Sequence, residues 1–136
     1  MRRLRGPAGG RGLTEERVGR ILRALEGLRV PAFPSETELH RMIAAALEGG
    51  GFDVRHEVAL GGGRRIDFIV DGIGLEIKKG RPARARLFRQ AEGYLRSGAI
   101  EALILIVGRN AELPATISGM PVAVFGLSKL WGVALP

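Results

Sequence analysis

The chain has 136 residues, 46% of them hydrophobic, enough for one domain of ordinary size to bury a core of its own. It has no cysteine, which excludes disulfides and thiolate metal sites, and its formal charge of +7 with a pI near 11.2 points to a polyanionic partner, DNA or another nucleic acid ahead of anionic lipid. No apolar run reaches the roughly 18 to 20 residues of a membrane span, and the arginine-rich start lacks the apolar segment of a secretory signal, so a soluble, cytoplasmic protein with no membrane partner is expected.

Residues 1–13 carry Arg2, Arg3, Arg5 and Arg11 among Gly and Pro and read as a basic flexible arm. From Thr14, a possible cap, an N-terminal helix over 14–30 places Val18, Ile21, Leu22, Leu25 and Leu28 on one stripe. That stripe packs either on the domain or on a second subunit, which would make a homodimer. Arg17, Arg20 and Arg23 on the other face meet phosphate or water.

Pro31 and Pro34 open the main domain, 31–136. Ser35 and Glu38 form a capping box for a helix that runs to about Glu48 and buries Leu39, Met42, Ile43, Ala46 and Leu47. Glu36 then lies at the edge of the buried stripe, able to face a sheet, while Glu38 points about 160° away. Glu36 is assigned to the site and Glu38 to the cap; a helix start displaced by a residue or two would exchange them.

Phe52 to Leu60 alternates as a half-buried strand, with His56 facing the core or its rim, and Gly61–Gly63 leads on to a hairpin. His40 and His56 stand apart in the chain and do not suggest a zinc site. Pro82 opens a helix to about Ser97 with Leu87, Gln90, Ala91, Tyr94 and Leu95 on one side. Ile100–Val107 is a strand buried on both faces and reached by a helical crossover; Pro121–Phe125 is a further strand, and Leu130 and Trp131 close the domain.

The hairpin carries the chemistry. Asp71-Gly72 between two apolar runs signals a two-residue turn, so Val70 faces Ile73, Phe68 faces Leu75, Asp67 faces Glu76 and Ile66 faces Ile77. Two opposed carboxylates destabilise a sheet unless they share a cation, and the two-residue period puts Lys78 on the face of Glu76. Oxygen ligands with few other donors suit Mg²⁺, or Mn²⁺. Of the 21 basic residues only Lys78, Lys79 and Lys129 are lysines, so 21 − 3 leaves 18 arginines. A lysine two residues beyond the paired glutamate is therefore a chemical choice. Arginine is a fixed planar cation, whereas a lysine is a compact charge whose pKa can be pulled down, so that it can orient a water or, as the neutral amine, deprotonate it. A solvated Glu–Lys ion pair is the plain alternative.

This order of elements and residues resembles the PD-(D/E)xK nuclease superfamily, which includes restriction endonucleases, Holliday junction resolvases and RecB-like exonucleases. The family pattern is matched by Glu36, Asp67 and Glu76-Ile77-Lys78, with Ile66 where the proline stands, and Gln90 and Tyr94 match the Gln-x-x-x-Tyr signature of the RecB-like branch. The resemblance covers about residues 35 to 126. It implies an α/β fold, a restriction-endonuclease-like mixed β-sheet flanked by helices (an αβββαβ core), here with an extra N-terminal helix. It implies that Asp67, Glu76 and the Ile77 carbonyl hold Mg²⁺, that Glu36 completes the shell, that Lys78 orients the attacking water, and that Gln90 belongs to the catalytic set. Gln90 as a buried amide satisfied by backbone, and Tyr94 as packing, are the plain readings. Lys79, Arg81, Arg84, Arg86 and Arg89 would form a rim for the phosphodiester backbone, or a solvated helix face. The expected function is a Mg²⁺-dependent DNA endonuclease. The alternative is a catalytically inactive nucleic-acid-binding module of a repair, phage or defence assembly.

Overall fold

The computed structural model describes residues 7–31, 34–80, 82–108 and 111–127. Asp71 and Gly72 both take positive φ, 55° and 80°, the backbone that a two-residue hairpin turn demands, and they join β2 (Arg64–Val70) to β3 (Ile73–Lys78). The observed pairs Val70↔Ile73, Ile69↔Gly74 and Phe68↔Leu75 are those expected from the turn. β1 (Val54–Gly61) pairs antiparallel with β2 on its other side.

Parallel neighbours need a crossover, and α3 (Arg84–Arg96) supplies it between β3 and β4 (Ala102–Val107). β6 (Met120–Gly126) runs parallel to β4, and a two-residue β5 (Thr116–Ile117), not foreseen in the sequence, pairs with β6 at the edge. The result is an α/β protein in which the described residues form one mixed six-stranded sheet, ordered β1-β2-β3-β4-β6-β5, and three helices.

α1 (Pro7–Glu26) and α2 (Glu36–Gly49) cover one face of the sheet. Val18, Ile21 and Leu25 of α1 are buried there with Leu39, Ile43 and Leu47 of α2 and Phe68, Leu75 and Ile104 of the sheet. The apolar stripe of α1 is thus used within the chain. α3 covers the other face with Leu87, Ala91, Tyr94 and Leu95 packed on Ile66, Ile69, Leu103 and Leu105.

α1 begins at Pro7 rather than at Thr14, so the second half of the expected arm is helical. A proline suits a first helical turn, whereas the glycines that follow it are poor helix formers and made this stretch read as an arm. Its arginines are not all in water: Arg17 donates to the Asp71 carbonyl and pairs with Glu101, and Arg20 pairs with Asp71 at 3.3 Å. These contacts pin α1 to the turn of the hairpin. Arg2, Arg3, Arg5, Arg81, Lys129, Leu130 and Trp131 lie outside the described residues. No helix among the described residues is long and apolar enough to cross a membrane.

Candidate active site

Residues two apart on a strand share a face, and β1 and β2 both break that rule at one place. Val54, Phe68 and Val70 pack on the side of α1 and α2, while Val58, Leu60 and Ile66 pack on the side of α3. The change falls at Glu57 and Asp67, which lie opposite one another between the pairs His56↔Phe68 and Val58↔Ile66. Glu57 takes a φ of 51°, an uncommon backbone for a residue with a Cβ. The kink turns both strands over at the level of the acidic residues.

At the same level the β2–β3 ladder ends. Phe68↔Leu75 is its last pair, and beyond it side chains replace backbone partners: the Asp67 N–H donates to Glu76 Oε1 at 3.1 Å, and the Ile77 N–H donates to Asp67 Oδ2 at 2.8 Å. The expected opposition of Asp67 and Glu76 is therefore present as an interlock across an opened ladder. The expected Ile66–Ile77 ladder pair is not, because the Asp67 carboxylate has taken the Ile77 N–H. The carbonyl of a strand residue points to the same side as its N–H, so the Ile77 carbonyl faces the Asp67 side of β3. The next carbonyl, that of Lys78, is taken by the Gly108 N–H at 3.2 Å.

Glu76 is 7% exposed. Burial, and then the charge of Asp67, push its carboxyl up to about 7, against the opposing pull of the Asp67 N–H, Lys78 and the Tyr94 hydroxyl. Lys78 Nζ lies 3.5 Å from Glu76 Oε2, as the shared face requires. The Tyr94 hydroxyl sits between the Glu76 carboxylate and the Arg65 carbonyl, at 3.4 Å from the latter, and accepts from Gln90 Nε2 at 2.9 Å. Burial and the Glu76 charge raise the Tyr94 hydroxyl's pKa, so it stays a donor. The sequence reading of Tyr94 as packing is half the account, and Gln90 reaches the acidic pair through Tyr94.

The capping box is as expected: Glu38 N–H donates to Ser35 Oγ and Ser35 N–H to Glu38 Oε1, both at 3.0 Å. That leaves Glu36 exposed on the first turn. The α2 side chain that meets the acids is His40, one turn further on the same face, with Nε2 at 3.2 Å from Asp67 Oδ1 and Nδ1 at 3.9 Å from Glu57 Oε2. One donor atom each from His40, Glu57 and Asp67 lies within 4.8 Å of the others, a spacing that fits a metal ion. The two histidines, distant in the chain, flank the Phe68 ring at 5.0 and 5.3 Å. The missed signal for His40 was its position four residues after Glu36.

An open groove of about 790 Å³ runs beside the site, lined among others by Arg64, Arg65, Lys78, Arg86, Arg89 and Gln90. Arg86 and Arg89 were expected on such a rim; Arg64 and Arg65, on the strand that leads into Asp67, were not. Arg84 is exposed on α3 but is not among the groove's lining residues, and Lys79 donates from Nζ to the Pro34 carbonyl, tying the end of β3 to the start of α2.

Compared with family models, curated proteins and solved structures, the chain matches none. The resemblance noted in the sequence therefore rests on the residues and geometry of this chain alone.

Proposed function

We propose that the protein is a divalent-metal-dependent DNA endonuclease, hydrolysing phosphodiester bonds at Asp67, Glu76 and Lys78, on a sheet of restriction-endonuclease-like type. The observation that carries this reading is the interlocked pair of carboxylates at the open end of the β2–β3 ladder, one of them buried and costly to ionise, with an ammonium beside them and an arginine-lined groove alongside. Two such carboxylates are relieved by a cation, and the donors suit a hard divalent ion. Asp67, Glu76 and the Ile77 carbonyl would hold it; His40 and Glu57, whose donor atoms group with Asp67 but not with Glu76, would offer further donors on the α2 side of Asp67, in the place the sequence assigned to Glu36. The nitrogen of His40 widens the choice from Mg²⁺ toward Mn²⁺. When bound, the ion polarises a phosphate oxygen and acidifies its water.

The chain's own residues do the rest. Lys78, ion-paired to Glu76, is positioned to orient the attacking water and to manage its proton. Tyr94 and Gln90 hold the Glu76 carboxylate in place. Arg64, Arg65, Arg86 and Arg89 supply charge for the phosphates on either side of the scissile bond. The test is incubation of supercoiled, linear, single-stranded and branched DNA with Mg²⁺ or Mn²⁺. Cleavage that Asp67→Asn abolishes is expected; no cleavage of any substrate, or equal cleavage by the variant, would refute the reading.

A further inference from the structure

The basic groove beside Lys78 does not end at the acidic cluster. It continues into a second hollow of about 560 Å³ that shares Gly62, Arg64 and Arg89 with it and extends along α3 to Arg96 and Ser97. Glu92 lines this part, and its charge is answered by Arg96 at 4.0 Å. Arg64 belongs to both hollows, and its placement depends on α3: a methyl group at Gly93 would fall 2.3 Å from Arg64 Nε and 2.6 Å from Cζ. Glycine is a poor choice inside a helix on conformational grounds, and here its missing side chain is the space that the guanidinium fills.

The character of the lining also decides what it can recognise. Single strands are gripped by stacking bases on exposed aromatic faces, and among the described residues the one aromatic ring in these linings is that of Tyr94, in the first groove, which is 2% exposed. Base edges are read by amides and forked donors in a groove, and the lining amide, Gln90, is engaged with Tyr94. What the described residues offer is guanidinium charge along a track. A single guanidinium can fork onto a guanine edge, but Arg64, Arg86 and Arg89 spaced along one groove match a run of phosphates, contacts that carry no sequence information, and two duplexes of unrelated sequence separate the two cases.

We propose that Arg64, seated on Gly93, forms with Arg86 and Arg89 a track that holds the phosphate backbone of duplex DNA without regard to sequence and delivers it to Lys78. The proposal rests on the nuclease reading only for the fate of the DNA, and its test separates the two.

Binding is measured by fluorescence anisotropy on the full chain with Asp67→Asn, in EDTA, so that cleavage cannot intervene. The probes are two short duplexes of unrelated sequence and their separated strands, across a salt series. The expected result is equal affinity for the two duplexes and weaker binding of the strands. Arg64→Ala should lower duplex affinity about tenfold and flatten the slope of log K against log salt by about 0.9, the value for one lost phosphate contact on B-DNA. Arg41→Ala, on exposed α2 surface, should change neither. Gly93→Ala should weaken binding where Arg64 is kept and add nothing to Arg64→Ala, because it acts by unseating that side chain. Strands bound as tightly as duplexes, an unchanged salt slope for Arg64→Ala, or additive effects of Arg64→Ala and Gly93→Ala would each overturn the track. Arg64-dependent duplex binding by a protein that cuts no DNA would support the track and sink the nuclease reading. Cleavage by a protein whose duplex binding ignores Arg64 would do the reverse.

Discussion

Asp67 and Glu76 each occupy backbone hydrogen bonds on the opposite strand: the Glu76 carboxylate accepts from the Asp67 N–H, and the Asp67 carboxylate accepts from the Ile77 N–H. The exchange ends the β2–β3 ladder where the strands would otherwise have closed, and it holds two like charges together in a partly buried place. The fold bears that electrostatic cost in the absence of a cation, and the cost can be measured.

Glu76 has its carboxyl raised from an ordinary 4.5 to about 7, chiefly by burial and by Asp67. A folded-state value above the unfolded one means that the native protein binds the extra proton, so stability falls as pH rises from about 4.5 to about 7 and stays reduced above that. Glu76→Gln keeps an oxygen for the Asp67 N–H and removes the charge. Denaturant unfolding without metal should show the variant more stable than wild type at pH 8, by up to roughly 3 kcal/mol, and no more stable at pH 4. A loss of stability at both pH values would mean that the ionised carboxylate is favourable where it sits.

The Tyr94 hydroxyl, which donates to the Arg65 carbonyl at 3.4 Å, also lies close enough to the Glu76 carboxyl to pull it down, the least of the influences on it. In Tyr94→Phe the buried ring stays and the donor goes, so the Glu76 carboxyl should rise further and the acidic limb of the pH–rate profile should move to higher pH. The packing of α3 should be unchanged by circular dichroism. An unshifted limb would show that Tyr94 only fills space.

His40 lies 3.2 Å from Asp67, whereas His56 pairs with Glu48 at 3.5 Å and meets the Phe68 ring edge-on. His40→Ala should weaken Mn²⁺ binding about tenfold or more in a calorimetric titration and weaken Mg²⁺ binding less, since imidazole favours softer ions. His56→Ala should alter neither. Equal small effects of the two substitutions would remove His40 from the metal shell.

These relationships show what the linear chain could and could not reveal. The hairpin register was readable because Asp71-Gly72 admits few turns, and that register brought Asp67, Glu76 and Lys78 together before any coordinates. The interlock was not readable, because counting outward from a turn assumes that the ladder continues, and here the acidic side chains outcompete Ile66 for the Ile77 N–H. The face change at Glu57 was hidden for a similar reason: the alternation of Phe52 to Leu60 reads as one regular strand, and a single left-handed residue reverses what the second half buries. The capping box separated Glu38 from Glu36 correctly, but the helix angle favoured the first-turn acid over His40, which is one turn deeper and nearer the kink. Arg64 could not be placed from sequence at all, since its seat is a vacancy on α3, an element some thirty residues away.

The most direct test of the account is the cleavage rate of Lys78→Ala measured beside its metal and DNA binding. Lys78 touches Glu76 and is assigned to the water rather than to the ion, so the variant should bind Mg²⁺ and duplex DNA within a few-fold of wild type and cleave at least about a hundredfold more slowly, the usual contribution of a positioned proton-transfer group. Cleavage by the variant at the wild-type rate would contradict the account.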